Sequence, residues 1–173
     1  MMMGSDGALE VANPVSDDDR RDAEIHVRGQ FGRALALQDK TTMRLVRQGA
    51  TYRISFTFNI RTDRIVSHPL FWYLFAYLDP KTMAFGDPIF LVPSAAVHAS
   101  LKRRKGKTYL AFHASMSATT HDQWRPYRVH PADLGKRILQ ILNAHGRLSR
   151  AELARTPALG PGLIWVGTHR AAA

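Results

Sequence analysis

The chain contains no cysteine, which removes disulfide frameworks, thiolate zinc sites and cysteine nucleophiles together. Long apolar runs are missing as well. The longest, residues 69–78, is far shorter than the roughly 20 apolar residues a membrane helix needs. No signal-peptide pattern is present, so a cytoplasmic protein with no membrane partner is expected. The eight histidines show neither HxH nor HExxH spacing, which argues against a zinc site. A P-loop, a GxGxxG turn and a GxSxG elbow are all absent, leaving nucleotide-binding and serine-hydrolase chemistry without support.

Acid is scarce: 14 Asp and Glu stand against 24 Lys and Arg, for a net charge of +10. The imbalance is uneven along the chain. Residues 1–24 hold seven acids and two bases, whereas the remaining 149 residues carry 22 bases against seven acids. A body that basic, with one local acidic spot, suits a polyanion bridged to the acids by a cation. Nucleic acid is the expected partner, DNA before RNA, and a homodimer is allowed.

The acidic spot runs into the most informative stretch, Asp22 to Thr42. Two alternating runs flank a turn containing Gly29 and Gly32, which reads as a β-hairpin. Ala23, Ile25 and Val27 alternate with Asp22, Glu24 and His26 on the first run, and Leu35 and Leu37 alternate with polar or small residues on the second. Burying one face requires the apolar sets to share a side, which restricts the register. Pairing Ile25 with Leu35 and Ala23 with Leu37 satisfies this and sets Asp22 opposite Gln38, with Lys40 next on the same face. Directly opposed residues lie about 5 Å apart at Cβ. A carboxylate, an amide and an ammonium therefore converge at one end of the hairpin, enough to hold a hard cation and a water beside a phosphate.

Asp22 followed by Gln38-Asp39-Lys40-Thr41-Thr42 resembles the core of the PD-(D/E)xK superfamily of restriction-endonuclease-like nucleases, in the variant with Gln at the (D/E) position. The resemblance is strongest over residues 22–42 and extends loosely to about 130. It implies an α/β (α+β) fold, a mixed central β-sheet flanked by helices. It further implies a Mg²⁺- (or Mn²⁺-) dependent endonuclease with Asp22, Gln38 and Lys40 as catalytic residues. Asp22, Gln38 and Glu24 would be the metal ligands, aided by the Asp39 carbonyl. Two departures stand out. The position between Gln38 and Lys40 is usually apolar and here is Asp39, on the core face, where Arg21 opposite would pair with it. The family usually has a long helix before the first acid. Only about twenty residues precede Asp22, so that helix is expected to be missing, shortened or lost to a wrong start site, with Glu10 the one candidate for an acid on it.

Along the chain, residues 1–15 read as a disordered N-terminal segment, residues 16–130 as the nuclease-like core, and residues 131–173 as a helical cap and tail. Residues 44–49 read as a connection, Arg53–Phe58 as a half-buried strand, and the apolar run Leu70–Leu78 as a strand covered on both faces. Pro88–Val92 forms the next strand, Pro93-Ser94 opens a short helix with Ser94 as cap, and Tyr109–His113 is another strand. Between them, Lys102, Arg103, Arg104, Lys105 and Lys107 make the densest basic run. It reads as a loop whose side chains splay onto a phosphate backbone. Arg125 and Arg128, among Trp124, Pro126 and Tyr127, would contact nucleic acid or pin a loop. Pro131–His145 is the clearest helix, with Leu134, Ile138, Ile141 and Leu142 on one stripe. Ser149–Glu152 suggests a capping box for a second, brief helix.

Two rival readings share this fold. One is a nucleic-acid-binding domain without catalysis; the other is a basic protein-interaction module.

Overall fold

The computed structural model describes residues 5–12, 22–28, 30–62, 65–104 and 107–145. The alternating runs become strands: β1 (Leu9–Ala12), β2 (Ala23–Val27), β3 (Gln30–Thr42), β4 (Val46–Gln48), β5 (Thr51–Ile60), β6 (Phe71–Tyr77), β7 (Ile89–Pro93), β8 (Lys102–Arg104), β9 (Lys107–Ser115) and β10 (Arg128–Val129). Two helices join them, α1 (Ser94–Ala99) and α2 (Leu134–Ala144). The strands form a six-stranded sheet in the order β1-β2-β3-β6-β7-β10 and a four-stranded sheet in the order β4-β5-β9-β8. Only β3 and β6 run parallel in the larger sheet, so the fold is α+β with a mixed central sheet, as expected. Its helices are few, and a second sheet rather than a helix covers one face.

The hairpin register follows from the apolar alternation. Ala23 pairs with Leu37 and Ile25 with Leu35, and these side chains enter a core with Leu9, Leu74, Ile89 and Leu91. Onto that face α2 lays Leu134, Ile138, Ile141 and Leu142, all buried. Each is worth about 1.5–3 kcal/mol relative to exposure. The opposite face of the central sheet carries Tyr73, Phe75, Phe90 and Val92. It is covered by the inward rows of the second sheet, Ile54 and Ile60 from β5 and Leu110, Phe112 and Ala114 from β9. Phe112 stacks on Phe75 with ring centroids 3.8 Å apart. The continuous apolar run of β6 is thus explained, since both of its faces are covered, one by a helix and one by a sheet.

Several expectations are corrected. The segment read as disordered supplies β1, whose Leu9 is fully buried and whose backbone extends the sheet beyond β2. Gly32 belongs to β3, so the hairpin turn is shorter than the two-glycine turn expected. Residues 44–49 contain β4, joined to β5 by a two-residue turn at Gly49-Ala50, where Gly49 takes φ +60°, a conformation glycine adopts without steric cost. The basic run is not an open loop: Lys102–Arg104 pairs antiparallel with the start of β9 as an edge strand, and Lys105 lies outside the described residues. Ser94 does not cap α1. Its hydroxyl donates to the His68 carbonyl and accepts from the His68 amide, both at 3.0 Å, tying the preceding loop to the helix. Arg21, the C-terminal residues 146–173 and the second helix expected there also lie outside the described residues.

Candidate active site

Strand pairing continues past Ala23, because the Asp22 amide donates to the Leu37 carbonyl. That bond fixes the Asp22 backbone beside β3 and sends its carboxylate to the face shared by Gln38 and Lys40, away from the α2 core. One oxygen, Oδ2, receives the Gln38 amide nitrogen at 2.5 Å and the Asp39 backbone N–H at 2.7 Å. The Lys40 ammonium stands 3.7 Å from the same oxygen and donates to the Asp39 carbonyl at 2.9 Å. The three groups read from the sequence are therefore brought together, with the Asp39 carbonyl as a fourth.

Exposure differs among them. Gln38 is only 6 % exposed, whereas the Asp22 and Lys40 side chains keep 42 % and 30 % of their surface. The corner has a buried amide floor and a charged rim open to solvent. Lys40 also lies 5.8 Å from the centroid of the Phe58 ring on β5, which sets the corner at the junction of the two sheets.

A cation fits this donor set. The Lys40 ammonium already sits 2.9 Å from the Asp39 carbonyl and 3.7 Å from Asp22 Oδ2, so one positive charge is held beside both oxygens. Asp22 Oδ1 takes no hydrogen bond from the described residues, and the Gln38 amide presents its oxygen on a half-turn of its terminal torsion. Glu24 shares the face but has its carboxylate 3.6 Å from His26 Nε2. Among the described residues no three His, Asp or Glu side chains converge as a metal site. The ligand set is consequently poor in charge, and weaker in cation affinity than a two-carboxylate site.

Asp39 points the other way, toward the face that carries Leu35 and Leu37, and its Oδ1 accepts from Thr41 Oγ1 at 3.0 Å. Burial pushes its carboxyl above the usual range. The Thr41 bond opposes this, the nearby Asp22 charge adds to it, and Lys40 opposes it. An acid with a raised pKa binds its proton more readily folded than unfolded, so its ionised form costs stability at pH above that value, and the cost vanishes as pH falls. Asp39→Asn keeps the acceptor for Thr41 and removes the charge. Its expected effect is a rise in Tm of about 1–2 °C at pH 7, shrinking to nothing near pH ~4, read by thermal melts at the two pH values.

The other residues read as nucleic-acid contacts divide. Lys102, Arg103 and Lys107 are exposed on the β8–β9 hairpin. Arg125 is exposed, its Nη1 2.5 Å from the His121 ring. Arg128 turns inward instead. It donates to the Ser115 and Ala118 carbonyls and to Asp122 at 3.2–3.4 Å, and packs against the Phe90 ring. It pins the 115–122 loop, as does Trp124, buried 4.5 Å from Phe112.

Sequence reasoning passed over a second polar chain. Tyr73, the register neighbour of Gln38 on β6, meets His98 Nε2 through its hydroxyl at 3.1 Å, and His98 Nδ1 meets Ser67 Oγ at 2.7 Å. Burial holds the His98 imidazole below its ordinary value. Nothing in the local sequence signals this chain, because its members come from a loop, a strand and a helix.

No family model matches the chain, and no curated protein matches it. Among solved structures it is similar to a bacterial homing endonuclease, I-Ssp6803I, at 15% identity over 86% of this chain and 88% of that one, with a TM-score of 0.49.

Proposed function

We propose that the corner of Asp22, Gln38 and Lys40 is the active site of a Mg²⁺- or Mn²⁺-dependent DNA endonuclease of the PD-(D/E)xK type. The observation that carries this reading is the convergence of the Asp22 carboxylate, the Gln38 amide and the Asp39 carbonyl around the Lys40 ammonium, 3.7 Å from Asp22 and 2.9 Å from that carbonyl. Asp22 and the Asp39 carbonyl would hold the metal, with Gln38 as an uncharged third ligand. When bound, such an ion polarises the scissile phosphate and acidifies a neighbouring water. Lys40, at the rim beside that carbonyl, would orient a water and offset the negative charge that builds on the phosphorane. The basic remainder of the chain, 22 bases against seven acids beyond residue 24, supplies attraction to the phosphate backbone.

A second reading has its own support. Oδ2 of Asp22 is already bonded by Gln38 and Asp39 and faced by Lys40, so the corner is electrostatically complete without a cation. On that reading the domain binds DNA and does not cut it. Gln38→Glu separates the two. A carboxylate placed against Asp22 repels it unless a divalent ion lies between them. A nuclease predicts nicking of supercoiled plasmid by the wild type with Mg²⁺ or Mn²⁺ and none in EDTA. It also predicts a Gln38→Glu melting temperature that drops in EDTA and recovers with either ion. Absence of nicking with every divalent ion, together with no recovery of the variant, selects the binding-only domain.

A further inference from the structure

The second sheet covers the central one with its inner rows, and among the described residues nothing packs over its outer face. Alternation assigns that face: Arg53, Ser55, Thr57 and Asn59 from β5, and Lys107, Tyr109, Ala111 and His113 from β9, with Lys102 of β8 beside Tyr109. Among the described residues of these strands there is not one acid. No carboxylate pairs with Arg53, Lys102 or Lys107 there, and the Nε of Arg53 is covered yet without a partner. The charges are also sorted by position. Arg53 stands at one end of the central pair and Lys102 and Lys107 at the other, while the middle holds neutral hydrogen-bonding groups around the flat Thr57–Ala111 pair. The field of this face is felt by His113, whose imidazole is held below its ordinary value by burial and then by the Arg53 and Lys102 charges.

We infer that this outer face is the surface that seats double-stranded DNA, with β5 and β9 in the major groove and Arg53, Lys102 and Lys107 on the flanking phosphates. β4 and β8 pair only with opposite ends of β5 and β9, so the middle of the face is two strands wide. A B-form major groove, about 12 Å wide, admits such a ribbon, and the A-form groove of RNA is too narrow for side chains to read. Single strands are recognised by stacking on two or three aromatic rings, and this face offers one, Tyr109. The arrangement of cations outside and neutral donors and acceptors inside matches the division between phosphate contacts that position and base contacts that specify. Asn59 points outward where its chain neighbour Phe58 points inward to Lys40, so this face and the proposed site lie on opposite sides of β5.

The inference rests on the DNA half of the function proposed above and not on cleavage, so it is tested by binding in EDTA. Fluorescence anisotropy with a random-sequence duplex of about two helical turns, titrated over salt, is the readout. The variant Arg53→Ala/Lys102→Ala/Lys107→Ala is expected to lower the salt slope by about 2–3 and weaken binding at least about tenfold at ~100 mM salt. Thr57→Glu, an exposed single change without lost hydrogen bonds, is expected to weaken duplex binding about tenfold with an unchanged melting temperature. Wild-type affinity and slope in both variants overturn the inference. So does tighter binding of wild type to single-stranded oligonucleotides than to duplex, or failure to retain duplex while an acidic polypeptide binds. Loss of plasmid nicking with duplex binding intact bears on the metal corner alone.

Discussion

Lys40→Ala is expected to reduce phosphodiester cleavage by about 10²–10³-fold, the usual loss when one group stabilising transition-state charge is removed. The loss should fall on kcat with KM little changed, because in the proposed mechanism the ammonium acts where charge develops rather than where the duplex is first held. Structure should survive the change. Asp22 keeps its bonds from the Gln38 amide and the Asp39 N–H and 42 % of its side-chain surface in water, so no buried charge is left unpaired. Single-turnover cleavage beside duplex binding measures both halves. A variant that cleaves like wild type removes Lys40 from the chemistry. One that neither binds nor melts cooperatively shows that the side chain serves the fold.

The second large effect concerns stability. Phe112 is fully buried and meets Phe75 at 3.8 Å, Trp124 at 4.5 Å, Phe90 at 5.7 Å and Phe56 at 6.4 Å between centroids. Phe75 and Phe90 belong to the central sheet and Phe56 to the covering one, while Trp124 anchors the loop before β10. Phe112→Ala therefore opens a cavity shared by every layer on that side of the molecule. Truncating a buried phenylalanine costs about 3–5 kcal/mol, a large part of the 5–15 kcal/mol or so typical of a whole domain. At about 2–4 °C per kcal/mol for a chain of this length, Tm is expected to fall by roughly 6–20 °C. Val46→Ala, at an exposed position on the edge strand β4, should move it by no more than ~1–2 °C. Equal melting of the two variants would mean that the sheets are not joined through Phe112.

What was legible in the sequence was whatever periodicity alone determines. The β2–β3 register could be read because only one alignment puts Ile25, Leu35, Ala23 and Leu37 on a single side, and it carried Asp22, Gln38 and Lys40 into one corner with it. The α2 stripe was equally plain. Sheet membership was not, because the pairing of β5 with β9 spans some fifty residues and no local pattern distinguishes a strand of the central sheet from one that covers it. β1 escaped notice since only Leu9 of its four residues is buried. The basic strand β8 reads as a loop because an edge strand facing solvent needs no apolar face, and its lysine and arginines are the residues that keep an edge from pairing further. Asp39 broke the expected pattern of the motif. It sits near the strand end, where its carboxylate is answered by Thr41 and half-screened by solvent rather than embedded among Leu35 and Leu37.

The most direct measurement is an anomalous difference map from crystals of the full chain soaked in Mn²⁺. The account predicts a peak about 2.0–2.3 Å from an Asp22 carboxylate oxygen and from the Asp39 carbonyl, with the Lys40 amine moved off that carbonyl. A saturated soak with no peak at the corner, Lys40 still bonded to Asp39 as at 2.9 Å, would contradict it.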